Sequence, residues 1–319
     1  MASYGFLRAP TAATLGSFAL AGLGLTVYRK SLFAVASAEA PGSQSQEVSE
    51  TADPPNMIRA GASSRVFSSG VSMVSLRLKS SEDINHSVKL LRFEFPESDA
   101  ISGLSLTSSV LTLTWPRGNL FPVLRPYTPV SRLDEAGHLD LMVKRYPGGK
   151  ASTYLHSLEP GQSLRFVAAL KGYPWIPNKY SHVALIAGGA GITPIYQLIQ
   201  GIFRNPDDTT SVTLVVGVNS DRDVILKEKL DGIKEKFPDR LKIVYTVSKP
   251  APGSPFRKGY VTEEVLRDAL GGAAKENTKV FVCGPPAMEA SLLGTRGWSG
   301  GTPGILQQLG YKSDQIHNF

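Results

Sequence analysis

The sequence predicts two consecutive domains, a small closed antiparallel β-barrel over residues 67–176 and a doubly wound α/β domain over 177–319, with an N-terminal membrane segment ahead of them. Three observations carry this. Residues 67–176 hold six short β-rich runs separated by Gly, Pro, Asp and Ser, the spacing of a small barrel. After Pro177 continuous apolar runs alternate with helical stretches, which is how a parallel sheet covered on both faces reads. Before both lies an acid-free apolar stretch with basic flanks.

That stretch, residues 1–38, carries Arg8, Arg29 and Lys30 but no acid before Glu39. Acid-poor, arginine-bearing and hydroxyl-rich segments are typical of mitochondrial addresses. The run Thr11–Tyr28 has 18 residues, just enough to cross a hydrocarbon layer of about 30 Å at about 1.5 Å per residue. A cleaved secretory signal is the alternative, but Arg29 and Lys30 behind the run fit an anchor better. Residues 39–66, small, polar and proline-bearing, read as a flexible linker.

The barrel strands are expected at Val71–Leu78, Val88–Phe95, Val110–Trp115, Phe121–Leu124, Leu139–Tyr146 and Ser163–Ala168. In the second domain His182–Ala187, Ser211–Val216, Leu241–Val247 and Val280–Cys283 read as buried strands. Pro194–Phe203, Asp223–Phe237 and a stretch ending at Leu270 read as helices. Thr262, followed by Glu263 and Glu264, is the expected N-cap of that last stretch. Thr302-Pro303 is expected to open a short helix through Leu309, whereas the Gly-rich stretch 289–301 gives no placement. No internal repeat is visible.

Four motifs carry chemistry. Arg125-Pro126-Tyr127-Thr128-Pro129-Val130-Ser131 joins a proline-stiffened backbone to a guanidinium, an aromatic ring and two hydroxyls, the groups that hold a flat, phosphate-bearing cofactor. Alone it reads rather as a proline-stiffened surface turn with an edge tyrosine. Gly148-Gly149-Lys150-Ala151-Ser152 follows a strand and opens a short helix, Ser152–Leu158; glycines let backbone approach a pyrophosphate and the helix start directs N–H groups at it. Ala187-Gly188-Gly189-Ala190-Gly191-Ile192-Thr193-Pro194 lies between a buried strand and a helix, where open α/β sheets bind nucleotides. It is not G-x-G-x-x-G, and such turns also serve packing alone. Cys283-Gly284-Pro285-Pro286 ends another strand of the same sheet, so Cys283 is expected beside a bound nucleotide ring, although a lone cysteine is also an ordinary buried hydrophobe.

Composition excludes several classes. With 319 residues, 42% hydrophobic and 19% charged, the chain is globular. Net charge is +7; residues 67–319 hold 29 Lys and Arg against 23 Asp and Glu, dispersed rather than interleaved with aromatics, which argues against nucleic-acid binding. A single cysteine and five scattered histidines, His86, His138, His156, His182 and His317, offer no metal or Cys-ligated iron–sulfur site. Redox chemistry would therefore need an organic cofactor.

Taken in order, R-x-Y-T-x-x-S, GGKAS, GGAGITP and CGPP resemble the ferredoxin-NADP reductase superfamily, and within it the NADH-cytochrome b5 reductase family of the fungal mitochondrial type. The resemblance spans about residues 67–319 and includes Ser102-Gly103-Leu104, Tyr173-Pro174-Trp175 and the end of the chain from Gly304 to Phe319. It implies that the barrel binds FAD and the α/β domain NADH. Arg125, Pro126, Tyr127 and Thr128 would hold FAD, with Thr128 near the nitrogen that accepts hydride. Val143, Lys144 and Tyr146 would line the flavin and nicotinamide side, and Gly149, Lys150, Ala151 and Ser152 the pyrophosphate. Thr193 would reach the flavin from the second domain. Gly188, Gly189, Cys283, Gly284 and Pro285 would take the nicotinamide nucleotide, and Phe319 would sit by the flavin. Thr128, Lys144 and Cys283 are the candidate catalytic residues.

The family's GGTGITP and GGKMS appear here with Ala190 and Ala151, which removes a hydroxyl and a side-chain contact but no catalytic atom. In Asn219-Ser220-Asp221-Arg222-Asp223, Asp223 falls where the family keeps an acid for the adenosine ribose, which implies preference for NADH over NADPH; Arg222 beside it leaves some room for NADPH. The implied function is hydride uptake from NADH by FAD and single-electron delivery to cytochrome b5 or a similar acidic haem protein. The chain is expected to be a mitochondrial monomer, anchored in the outer membrane or facing the intermembrane space. Alternatives are a reductase of the same fold for a quinone or ascorbyl radical, and a degenerate membrane-tethered nucleotide-binding protein without turnover.

Overall fold

The computed structural model describes residues 64–67, 73–295 and 301–319. The expected targeting and anchor segment 1–38, the linker up to residue 63, and residues 71–72 of the first expected strand lie outside them. Among the described residues no helix is long and apolar enough to cross a membrane.

The first domain contains β1 (Val74–Asn85), β2 (Val88–Glu94), β3 (Ser109–Thr114), β4 (Val123–Tyr127), β5 (His138–Lys144), α1 (Lys150–His156) and β6 (Ser163–Leu170). All pairings are antiparallel, in the order β4-β3-β6-β1-β2-β5. Alternating burial along β3 sends Val110, Thr112 and Thr114 inward, as a strand with one covered face requires. Phe93 and Phe166 meet edge to face at 5.4 Å in the core, and Phe67, just before the first strand, closes on Phe166 at 5.9 Å. The expected closed barrel is corrected in one respect. Its hydrogen-bond ladder is open, with β4 and β5 as the two edges and α1 packed against both.

The second domain contains β7 (His182–Gly188), α2 (Ile192–Arg204), β8 (Ser211–Val218), α3 (Lys227–Lys236), β9 (Leu241–Val247), β10 (Arg257–Lys258), α4 (Glu263–Leu270), β11 (Thr278–Cys283), α5 (Pro286–Leu293), the short pair β12 (Gly294–Thr295) and β13 (Thr302–Pro303), α6 (Ile305–Gln308) and β14 (Ile316–Asn318). The six-stranded sheet runs β10-β9-β8-β7-β11-β14 and is parallel throughout. Every residue of β7 is buried, the pattern of a strand covered on both faces.

Several expected boundaries shift for local reasons. The helix expected over Ser152–Leu158 runs instead from Lys150 to His156, with Gly149 as its cap and Ser152 within its first turn. The helix expected from Asp223 begins only at Lys227, because Leu226 takes a left-handed φ of 61° that no helix can pass through. Thr302-Pro303 pairs with Gly294-Thr295 instead of opening a helix, and Gly304 caps α6. Thr262 does cap α4, its hydroxyl accepting from the Val265 N–H at 3.3 Å. Several elements had no expectation: α5 across 286–293, the two-residue strands β10 and β12, and β14, which extends the sheet beside β11.

The domains meet along α2. A Cβ on Gly201 would stand 2.4 Å from Leu106 Cδ2, so the glycine leaves room for that leucine of the barrel domain to seat against the helix. Gln197 donates to the carbonyls of Ser108 and Pro129 at 3.4 Å each, Gln200 to that of Val130 at 3.2 Å, and Arg204 pairs with Asp134 at 3.0 Å. Val88, Val130 and Met142 of the first domain join the apolar cluster around α2 and β7, so the hydrophobic core is continuous across the boundary.

Candidate active site

The four motifs converge where the carboxyl ends of β7 and β11 face the ends of β4 and β5. In-register parallel pairing sets Cys283 against Ala187, so the two loops that follow leave the sheet side by side. Their backbones touch. A Cβ on Gly191 would lie 2.1 Å from the Cys283 carbonyl oxygen, and one on Gly188 2.6 Å from both Met288 Sδ and Pro285 Cδ. Glycine is therefore required by the closeness of these two turns, and Gly189 adds a positive φ of 52°.

Lys144, at the end of β5, reaches from the first domain to this place. Its Nζ is 3.1 Å from Asp223 Oδ1 and 3.9 Å from where a Gly189 Cβ would be. Asp223 is buried, and its Oδ2 accepts from Ser220 N at 3.1 Å and from Ser220 Oγ at 2.7 Å. Burial pushes its carboxyl up, but the bonds from Ser220 and Lys144 outweigh that and hold it below the usual carboxylate range. Nearby, Asn85 Nδ2 donates to the Arg222 carbonyl at 2.9 Å and His86 Nε2 lies 3.9 Å from Asp223. The hairpin β1–β2 and the end of β5 thus grip the turn after β8.

On the first-domain side, β4 contains Arg125, Pro126 and Tyr127 rather than merely leading to them. Arg125 is exposed, its Nη1 donating to the Leu124 carbonyl at 2.7 Å. Tyr127 is half-buried, and desolvation pushes its phenol up to about 12 despite Arg125. Tyr146 is exposed at the cleft, its phenol raised by burial and by the neighbouring Cys283 sulfur. Burial, with help from Glu289, pushes the Cys283 thiol up to about 12. Both phenols and the thiol are neutral at physiological pH, so this wall offers faces and weak donors rather than charge.

The loop 146–152 is locked by its own serine: Ser152 Oγ donates to the Gly149 carbonyl at 3.2 Å and accepts from Tyr146 N at 3.3 Å. Lys150 is exposed at the start of α1, and Ala151 is buried beneath it. Gly149 supplies no side-chain cap, which leaves the first N–H groups of α1 without an internal acceptor. Thr193, buried in the first turn of α2, donates to the Ala190 carbonyl at 3.2 Å, and Gly191, the cap of α2, likewise has no capping side chain. Val143 turns its side chain into the barrel core, and its carbonyl accepts from His156 at 2.8 Å, so only main chain remains for the cleft. Thr128 follows β4 half-exposed. Phe319 stacks on Phe281 at 5.5 Å and 20°, its N–H donating to the Val282 carbonyl at 3.1 Å, which fixes the chain terminus one residue from Cys283.

One residue of the site left no signal in the sequence. Glu289 accepts from the Gly284 N–H through Oε1 and from Asn318 Nδ2 through Oε2, each at 3.1 Å, and so ties the Gly284-Pro285 turn to the last strand. Only knowledge that a helix starts at Pro286 turns Glu289 back toward that turn.

The donor set fits the two groups that the motifs imply. Exposed Arg125 and Lys150 with uncapped N–H groups suit a pyrophosphate, and the neutral aromatic faces of Tyr127 and Tyr146 suit a flat ring. The Gly188–Gly191 turn, with no side chain over it, suits a second nucleotide.

Residues 75–172 match the oxidoreductase FAD-binding domain family, and residues 185–293 the oxidoreductase NAD-binding domain family. The chain is 47% identical over 249 residues to NADH-cytochrome b5 reductase 2 of Pyricularia oryzae, covering 77% of this chain and 75% of that protein. It is 41% identical over 315 residues to the protein of the same name from Aspergillus terreus, covering 98% of this chain and 91% of that one. Among solved structures, the cytochrome b5 reductase domain of Ulva prolifera nitrate reductase superposes with a TM-score of 0.67 at 28% identity, covering 78% of this chain and 97% of that one. The CS-b5R domains of human Ncb5or share the fold with a TM-score of 0.64 at 20% identity, covering 79% of this chain and 70% of that one. An open antiparallel barrel with an Arg-Pro-Tyr-Thr edge, a parallel sheet whose two glycine turns touch and a lysine bridging them thus belong to a two-cofactor oxidoreductase, and the chain is a member of the NADH-cytochrome b5 reductase family.

Proposed function

We propose that this protein draws hydride from NADH into FAD and delivers electrons one at a time to cytochrome b5. The observation that carries the reading is Lys144, which joins the end of the FAD-side strand β5 to Asp223 and stands beside Gly189 of the nucleotide turn. A single residue therefore ties the FAD-side strand to the nucleotide turn across the domain boundary. When bound, FAD supplies the step from two-electron to one-electron chemistry. The chain's own part is placement and charge. Arg125, Lys150 and Ser152 would hold the FAD phosphates, Tyr127 and Thr128 its ring, and Gly188, Gly189, Gly284 and Pro285 the nicotinamide nucleotide. Cys283, kept as a neutral thiol, would pack against the nicotinamide without competing for hydride. Asp223 would accept from the adenosine ribose and favour NADH. No acid–base pair is required of the protein.

The reading extends to placement in the cell. The acid-free, arginine-bearing residues 1–38 support a mitochondrial address and an anchor in the outer membrane, with the catalytic domains tethered as a monomer. Carbonate extraction and protease protection of tagged protein on isolated mitochondria test it; full release by carbonate would remove the anchor. The activity is tested by anaerobic stopped-flow reduction of the full chain by NADH followed by reoxidation with cytochrome b5. Flavin bleaching by NADH and rapid recovery on adding the haem protein are expected. Recovery with a quinone or ascorbyl radical but not with cytochrome b5 would reassign the acceptor.

A further inference from the structure

The hairpin between β3 and β4 carries an apolar surface that neither cofactor site uses. Of nine large hydrophobic side chains exposed among the described residues, four sit on it: Trp115 at 56%, Leu120 at 85%, Phe121 at 78% and Leu124 at 44% exposed. The tip is held in shape. Trp115 Nε1 donates to the Asn119 carbonyl at 2.9 Å, Asn119 N donates to the Pro116 carbonyl at 3.1 Å, and Gly118 takes the left-handed φ of 82° that the turn needs. The apolar side chains are thus presented, not left by a loose loop.

Charge and shape indicate what they meet. No acid occurs between Asp99 and Asp134, whereas Arg117 lies on the tip. Arg165 is directly opposite Leu113, which is itself opposite Leu124, so this cation shares one outer face of the sheet with Leu124 at the base of the tip. A projecting tip has no concave wall to bury it against a rigid partner, but it can enter a fluid interface. Tryptophan, phenylalanine and leucine bordered by arginine is the composition that settles at an anionic lipid headgroup layer. We propose that the 115–122 hairpin docks on the anionic lipid surface to which the chain is tethered. This would fix the FAD domain against the membrane with β4 next to the lipid. The proposal rests on the membrane-anchored reading of residues 1–38. Its partner chemistry is a lipid surface, and the tether makes even a weak contact effective by raising local concentration.

The test uses the full chain reconstituted on phosphatidylcholine vesicles containing phosphatidylserine, with bromine on the upper acyl chain. Subtracting the Trp115→Phe variant isolates the Trp115 emission. That component should be quenched and blue-shifted on vesicles. Both effects should be lost in a Leu120→Ser/Phe121→Ser variant that keeps its flavin spectrum and its NADH-dependent reduction of ferricyanide. Vesicle-bound protein with unquenched Trp115 overturns docking and leaves the anchor standing, whereas failure of the full chain to associate with vesicles overturns both. Loss of cytochrome b5 reduction by the double variant in detergent, where no bilayer is present, would reassign the tip to the protein partner. A concentration-dependent dimer abolished by the double variant would reassign it to a second copy.

Discussion

Asp223 sits where two jobs compete for one carboxylate. Its Oδ2 is taken by Ser220, and its Oδ1 accepts from Lys144 with a lone pair to spare for a ribose hydroxyl. If it reads the ribose, Asp223→Ala should lower kcat/KM for NADH by about tenfold or more, the worth of a charged hydrogen bond, and leave NADPH nearly unchanged. Equal losses for both coenzymes would mean that it only ties the domains together. Arg125 has no such ambiguity, because its one bond is to its own strand; Arg125→Ala should fold but emerge without bound FAD, read from the ratio of visible to ultraviolet absorbance. Cys283 makes a sharper case. With its thiol pushed up to about 12, against about 8.5 for a free cysteine, the thiolate fraction at neutral pH falls by about three to four orders of magnitude. Iodoacetamide should modify it far more slowly than free cysteine, and labelling at the rate of free thiol would refute the partly buried, neutral assignment. Residues of this kind were legible where chemistry is local, as in Arg125-Pro126-Tyr127. Glu289 was not, since its partners Gly284 and Asn318 are joined to it only by the fold.

At the scale of elements, alternation and apolar runs marked the strands of both sheets, because strand periodicity and two-sided burial are written directly in side-chain order. What escaped was set by backbone geometry or by pairing. Leu226 stops α3 from reaching back to Asp223, and β14 exists because Val280–Val282 offers it a free edge. The contact of the two glycine turns was legible as glycine content but not as closeness. It predicts a strong positional asymmetry. Gly191→Ala puts a methyl 2.1 Å from the Cys283 carbonyl, a backbone atom that cannot swing away, whereas a Cβ on Gly189 meets nothing nearer than Lys144 Nζ at 3.9 Å. Gly191→Ala should cost on the order of 1–3 kcal/mol of stability through overpacking and separate the nucleotide loops, raising KM for NADH. Gly189→Ala should carry only the smaller strain of its positive φ. Thermal melts and NADH titrations of the pair check this, and equal behaviour would show that the turns are not in contact.

At the scale of the molecule, domain order was legible, but the way the domains hold each other was not. The ties join residues far apart in sequence, such as Gln197 with Ser108 and Lys144 with Asp223. Those ties differ in kind on the two sides of the boundary. Along α2 they are apolar contacts, with Leu106 seated on Gly201, side-chain amides bonded to main-chain carbonyls, and one solvent-exposed ion pair, Arg204–Asp134, with side chains 43% and 61% exposed; at the cleft the main tie is one ion pair, with side chains 18% and 7% exposed. The more buried cleft pair should therefore carry the larger pH response, since the exposed pair on α2 is weakened by solvent. Asp223 is held below its ordinary value by Ser220 and Lys144, so its charge stabilises the folded state fully above the unfolded carboxyl value of about 3.9. That contribution is lost as pH falls through the lowered folded value. Lys144→Met keeps the aliphatic stem and removes the partner. The variant should melt below the wild type by a few degrees at neutral pH, as expected for about 1 kcal/mol in a domain pair of this size. The gap should stay constant down to about pH 5 and close as the solution becomes acid enough to protonate Asp223 in the wild type. Melting curves of both proteins from neutral pH to about pH 3 decide it. A gap that persists at the acid end would assign the contribution of Lys144 to packing of its stem rather than to its charge, and the cleft would then be held open or shut by the bound coenzymes alone.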